Sequence, residues 1–253
     1  MCNFAAAKLH IIIYSMRYAV IAAGEGSRLA AEGLDTPKPL VEVAGERLID
    51  RLIRIFMANG ADEIVCICND RTAQVARHLV SLQRDGLQGR PVPLRFVAKT
   101  TPSSMHSFFE ISRYLQDGPF VLTTVDTIFD ETEFADYVQA FGTERKSSLM
   151  GVTDYIDDER PLYVETDRRM GITAFLDPPA TARYVSAGIY GLQPETIYTL
   201  NNCIARAESR LRNFQRALVT DGRPLKAWPF SKVLDIDHVA DVQKAEAFLV
   251  HSA

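Results

Sequence analysis

Apolar runs and amphipathic stretches alternate along most of the chain. Residues 18–23 form a continuous apolar run, Tyr-Ala-Val-Ile-Ala-Ala, that breaks at Gly24; this is the pattern of a strand buried on both faces. Residues 46–59 place Leu48, Ile49, Leu52, Ile53 and Phe56 on one helical face and stop at Gly60. Further strands are expected over 63–68, 90–98, 119–125 and 147–152, with helices over 71–82, 104–115 and 131–141. From 154 to 183 the pattern weakens to two short strands, 163–166 and 172–176, with a turn between them. A strand over 184–192 follows, then one long or two broken helices over 195–219. Strands at 225–229 and 232–236 and a helix over 239–250 close the chain. Strand alternating with helix predicts an α/β fold, a mainly parallel mixed sheet with helices on both faces.

Composition narrows the classes. The 253 residues are 47% hydrophobic, enough for one sizeable core. A net charge of −4 argues against a nucleic-acid surface. No run reaches the roughly 18 apolar residues of a membrane span. Cys2, Cys66, Cys68 and Cys203 lack zinc-site spacing and fit reduced thiols of a cytoplasmic protein. Cys66 and Cys68 lie two apart in a strand, so they share a face.

The chemistry-bearing residues begin where the first strand ends. Gly24 and Gly26 have no Cβ and let the backbone pass close to a ligand. Ser27 can start a helical turn whose free N–H groups suit a phosphate. Arg28 adds a fork of donors matched to phosphate oxygens. Lys38 stands between Pro37 and Pro39, and the following proline pushes it toward extended geometry. Asp126 follows the buried run 120–125, at the carboxyl end of a strand, where open α/β sheets bind ligands. Asp235 and Asp237 precede the last helix two residues apart, and Asp237 also suits a helix cap.

Together, Gly24-Glu25-Gly26-Ser27-Arg28, Pro37-Lys38-Pro39-Leu40 and Gly45 through Leu48-Ile49-Asp50 resemble the nucleotidyltransferase family that makes sugar nucleotides and related activated alcohols. The resemblance covers the chain from about Tyr18 to Leu249. It implies a Rossmann-like nucleotidyltransferase fold, as one domain over residues 16–253. It also implies a mixed β-extension over the substrate site. Since the first strand of the family starts near its initiator, residues 1–15 are expected to be an extension, either upstream of a start at Met16 or a dispensable arm.

The implied reaction moves a nucleoside monophosphate from an NTP to a sugar 1-phosphate or similar phosphomonoester, releasing pyrophosphate. Both reactants are anions, so Mg²⁺ held by carboxylates is the expected cofactor. The acceptor phosphate is already ionised, so no protein nucleophile is required. Arg28, Lys38, Asp126 and Asp237 are the expected catalytic residues, with Asp126 and Asp237 as metal ligands and Asp235 the alternative to Asp237. Ala22, Ala23, Gly24, Gly26, Ser27, Arg28, Ser103 and Ser104 are expected to bind the nucleotide. Ser103 and Ser104 replace the family's usual Gly-Thr, and a pyrimidine base is favoured. Ser186-Ala187-Gly188-Ile189-Tyr190 resembles the family's Asn-Ala-Gly-Ile-Tyr, and Gly188 with Glu165 is expected at the acceptor. Phe175-Leu176-Asp177-Pro178-Pro179 lacks the family's phosphate-contacting lysine, so phosphocholine-type acceptors remain open. Three other classes stay in view. A nicotinamide-binding Rossmann domain lacks its third glycine, because Leu29 stands there. A metal-dependent glycosyltransferase would want a second Asp where Ile128 stands. A non-catalytic sugar-nucleotide sensor would have no need of all four charged residues.

Overall fold

The computed structural model describes residues 16–144 and 146–251. The expectations for residues 1–15 lie outside the described residues. The first strand, β1 (Met16–Ala22), is followed by a short helix, α1 (Ser27–Ala31), and a 3-10 turn over Lys38–Leu40. Next come a hairpin, β2 (Glu42–Val43) and β3 (Glu46–Arg47), then α2 (Leu48–Ala58), β4 (Ala61–Cys68), α3 (Ala73–Asp85) and β5 (Leu94–Ala98). The middle of the chain holds α4 (Ser104–Ser112), β6 (Phe120–Thr124), β7 (Thr127–Phe129), α5 (Glu131–Thr143) and β8 (Ser148–Thr153). It ends with β9 (Tyr163–Thr166), β10 (Ile172–Leu176), β11 (Tyr184–Leu192), α6 (Thr196–Ala205), α7 (Leu211–Thr220), β12 (Leu225–Phe230), β13 (Val233–Asp235) and α8 (Val239–His251).

The sheet runs β10-β9-β11-β6-β1-β4-β5, with β8 joined to β11 and β12. The pairs β6·β1, β1·β4 and β4·β5 are parallel, while β11 meets β6, β8 and β9 antiparallel. The central strands β6-β1-β4-β5 are thus all parallel and the antiparallel pairs lie to the β11 side, the mixed sheet that the alternation predicts. Along β1, Tyr18, Val20 and Ala22 enter one core and Ala19 and Ile21 the other, as a strand covered on both faces requires. The first core is closed by α2, α3, α5 and α8, through residues such as Phe56, Leu79, Phe134 and Ala245. The second is closed by α4, α6 and α7, through Phe108, Leu200 and Phe214. Tyr18 stacks on Phe56 with ring centroids 4.3 Å apart and donates its hydroxyl to the Asn59 carbonyl at 2.8 Å. Cys66 and Cys68 share the first core, as their spacing predicts.

Two local differences from the expected elements have clear causes. The helix expected from residue 46 begins at Leu48, because Glu46 and Arg47 pair with Val43 and Glu42 across a turn at Ala44 and Gly45, both with positive φ. Lys38, expected extended, starts the 3-10 turn instead; Leu40 N–H bonds to the Pro37 carbonyl at 2.7 Å and Val41 N–H to Lys38 at 3.1 Å. Of the two forms expected over 195–219, the chain takes the pair of helices, and their join carries positive φ at Ala207 and Arg210.

Gly188 bends β11. Its φ is +71°, and the register against β8 slips between Ser186 and Tyr190. Beyond this bulge β11 pairs with β6, and before it with β9, so one residue redirects the strand from the parallel sheet into the β9–β10 extension. No helix among the described residues is long and apolar enough to cross a membrane.

Candidate active site

The connection order creates the crevice. From β1 the chain moves outward to β4 and β5, then returns to lay β6 on the other side of β1. The carboxyl ends of β1 and β6 therefore flank a topological switch point, the general ligand site of such sheets. A cavity of about 650 Å³ opens there. Ala23, Gly24, Gly26, Ser27 and Arg28 line one side, with Lys38 and Asp126 at the base. Ser103 and Ser104 line another side, and Asp237 closes the end.

Ala22 does not reach this space. It is buried in the first core beside Val20, because strand alternation turns it away while Ile21 and Ala23 face the cavity. The two glycines differ as well. Gly24 has no neighbour within 4 Å of a would-be Cβ, so it presents open backbone to the cavity. Gly26 has φ +61°, and a Cβ there would lie 3.2 Å from the Cβ of Lys38. Gly26 thus lets the loop pack on Lys38, and it precedes an α1 of five residues.

Opposite charges converge at the base. Lys38 Nζ donates to Asp126 Oδ2 at 2.5 Å and to Asp237 Oδ1 at 2.8 Å. Arg28 Nη1 donates to Asp237 Oδ2 at 2.7 Å. The side chains of Lys38 and Asp126 are 11% and 18% exposed, so their contact is largely screened from water, whereas Arg28 is 55% exposed. Burial works against the Lys38 charge, but Asp126 and then Asp237 hold its ammonium above the usual lysine range. Burial likewise opposes the Asp237 charge, yet the hydrogen bond from Lys38 and the charges of Lys38 and Arg28 hold its carboxyl below the usual range. Asp126 Oδ1 is buried and has no hydrogen-bond partner among the described residues.

The two aspartates meet because β13 pairs antiparallel with β7, placing Asp235 opposite Thr127. Ile236 N–H also donates to the Asp126 carbonyl at 3.1 Å. Asp237 does not cap α8: the first N–H of the helix, on Val239, donates to Glu32 at 2.7 Å, and the Asp241 carboxylate accepts from the N–H groups of Asp237 and His238 just before it. Asp130 caps α5 through the N–H groups of Thr132 and Glu133, which leaves Asp126 free for the crevice.

A second cavity, of about 290 Å³, adjoins the first, and Arg28 and Asp237 line both. Ser186, Ala187, Asp158 and Asp235 face into it. Asp235 is exposed where it lines this cavity, and the crowding around it, with the Asp126 and Asp237 carboxylates nearby, raises its carboxyl above the usual range. Asp235 takes no hydrogen bond from Lys38 or Arg28 among the described residues; those contacts fall on Asp237. Gly188 and Glu165, expected at the acceptor, line neither cavity. The close neighbours of Gly188 are Thr127 and Thr124 of the β6–β7 turn. Glu165 is exposed on β9, opposite Ala174.

The wall of the larger cavity holds residues that the sequence reading passed over. Asn69, at the end of β4, donates to the Ala23 carbonyl at 3.4 Å and accepts from Thr100 Oγ1 at 2.7 Å. It ties the β1–α1 loop to the β5–α4 loop. Its signal was present, a polar residue directly after a buried strand, the same rule that selects Asp126. Ser103 Oγ pairs with His106 Nδ1 at 2.9 Å and accepts from Arg210 N–H at 3.2 Å. It makes no capping bond to α4.

A family model described as nucleotidyl transferase matches residues 18–251. N-acetylmuramate alpha-1-phosphate uridylyltransferase of Caulobacter vibrioides is 29% identical over 70% of this chain and 74% of its own length. The bifunctional IPC transferase and DIPP synthase of Thermococcus kodakarensis is 27% identical over 45% of this chain, a match that spans 24% of that longer protein. The structure of the inositol-1-phosphate CTP transferase from T. maritima superposes with a TM-score of 0.75 at 20% identity, covering 92% of this chain and 96% of the other.

Proposed function

The chain belongs to the nucleotidyl transferase family, and from that premise we propose that it transfers a nucleoside monophosphate from an NTP to a sugar 1-phosphate or similar phosphomonoester, releasing pyrophosphate. The observation that carries this reading is the shared wall between the two cavities. Arg28 and Asp237 line both, so a triphosphate in the larger space and a phosphomonoester in the smaller one meet at the same charged residues. An oxygen of the acceptor phosphate attacks the α-phosphorus, the bond from that phosphorus to the bridging oxygen breaks, and pyrophosphate leaves with the electron pair. Arg28 and Lys38 neutralise phosphate charge and hold the reactants in line. No group of the chain need form a covalent intermediate.

Mg²⁺ fits the donor set. Asp126 and Asp237 offer hard carboxylate oxygens, Asp126 Oδ1 is buried without a partner, and both carboxylates already reach one nitrogen atom. Both carboxylates therefore face one point, and Mg²⁺ takes one or two carboxylates of this kind together with phosphate oxygens. Bound there, the ion supplies positive charge to the phosphate oxygens. Asn69, Thr100, Ser103 and Ser104 line the larger cavity, and the nucleobase is assigned to their side. These small hydroxyl side chains, together with the uridylyl transfer named for the C. vibrioides relative, support a pyrimidine donor.

Pyrophosphate release with ATP, GTP, CTP and UTP against a panel of sugar 1-phosphates and other phosphomonoesters tests the reading. Release with UTP or CTP and one acceptor is expected. No release with any pair would overturn the activity, and a preference for ATP or GTP would overturn the base assignment.

A further inference from the structure

We propose that Lys38 is a built-in counter-ion for the Asp126 and Asp237 carboxylates, one that a divalent cation has to displace. Metal and triphosphate then enter together, and the Lys38 ammonium passes from the carboxylates to the phosphates. The inference rests on the reading of Asp126 and Asp237 as the metal site.

The geometry points to shared occupancy. Lys38 Nζ touches Asp126 Oδ2 and Asp237 Oδ1 at once, and Arg28 takes Asp237 Oδ2. Of the four carboxylate oxygens, Asp126 Oδ1 is the one without a partner. Mg²⁺ gives up its water reluctantly and needs one or two carboxylates plus phosphate oxygens, so a single open oxygen is a poor site. Binding of the ion in the full site requires Lys38 to release the pair. The four side chains are also balanced, two cations against two anions. An ion entering alone would bring two uncompensated positive charges into a partly buried site. An ion entering with a triphosphate brings the anion on which Lys38 and Arg28 can settle. The backbone allows this with little rearrangement. Lys38 is anchored in its 3-10 turn between Pro37 and Pro39 and packed against Gly26, so the move is a swing of a flexible four-carbon stem.

Binding of Mn²⁺ to the full chain, followed by the EPR signal of the free ion, tests this without turnover. Without nucleotide the wild type should bind Mn²⁺ weakly, and Lys38→Gln should bind at least roughly tenfold more tightly, since a charge-assisted contact in a partly buried site is a strong one. Lys38→Arg keeps a cation against the pair and should retain the weak affinity, which also guards against a glutamine variant that folds poorly. Arg28→Gln removes one charge of the same sign that touches one carboxylate, so its gain should be clearly smaller. Equal Mn²⁺ affinity for Lys38→Gln and wild type, or an equal gain from Arg28→Gln, overturns the exchange while leaving the metal site in place. Unchanged Mn²⁺ affinity when Asp126→Asn is added to Lys38→Gln, without nucleotide, overturns the metal site itself and the exchange with it.

Discussion

Replacing Asp126 by Asn separates the charge of this residue from its shape. The wild-type carboxylate has one oxygen on Lys38 and the other buried without a partner. The amide oxygen can still accept from Lys38, so the amide nitrogen takes the place of Oδ1 and is itself unpaired. One unmade polar contact replaces another, and Lys38 keeps its bond to Asp237. The Lys38 ammonium also loses the charge of its nearer carboxylate in a partly buried site, so the stability change should be about 2 kcal/mol, within the range for a hydrogen bond between charged groups. For a chain of this size that is a fall in Tm of roughly 4–8 °C. The catalytic effect is much larger. If Asp126 is one of two metal carboxylates, as proposed, its loss removes charge stabilisation worth about 3–4 kcal/mol, a drop of roughly 10²–10³ in turnover at about 1.36 kcal/mol per decade. Pyrophosphate release at saturating Mg²⁺ and nucleotide, paired with a thermal melt, measures both numbers. Turnover within threefold of wild type in a folded variant would refute the role of Asp126. A fall in Tm beyond 10 °C would show instead that the residue is structural.

Lys38→Ala should lower turnover by about 10²–10³, the loss seen when one preorganised donor is removed; near-wild-type kcat would leave Lys38 as a purely structural partner of the aspartates. Gly26→Ala combines a left-handed backbone with a Cβ placed 3.2 Å from Lys38 Cβ. It should cost about 1–2 kcal/mol and also depress kcat by moving Lys38, so an unchanged kcat beside a lowered Tm would contradict the packing argument. Glu144 is held at about 2, first by the hydrogen bond from Lys226 at 2.6 Å and then by the Lys146 and Ser147 N–H groups. Its folded-state value lies below the ordinary range of about 4.3, so its contribution is fully present above that range and disappears as pH falls toward 2. The Tm gap between wild type and Glu144→Gln should be widest above pH 5 and close on acidification; a gap independent of pH would refute the assignment.

What the sequence determined by itself was local. Burial on both faces makes β1, β4 and β6 continuous apolar runs, and the loops after them fall at the carboxyl ends where ligands bind. The strand boundaries at Tyr163–Thr166, Ile172–Leu176 and Tyr184–Leu192 were legible because turn residues punctuate them. Arg28, Lys38, Asp126 and Asp237 could be picked out as residue types in a pattern, and the structure gathers them at one crevice. Their mutual contacts were decided by the tertiary structure. Lys38 and Asp237 are 199 residues apart, and nothing local foretells that β7 and β13 pair so as to press Asp126 against the residues before α8. Side-chain direction is likewise a property of the assembled sheet. It turns Ala22 into the core, places Gly188 at a bulge against Thr127, and leaves Glu165 on an exposed face. Periodicity records which face of an element is buried; which partner lies against that face depends on strand order, and strand order is settled by contacts between segments distant in the chain.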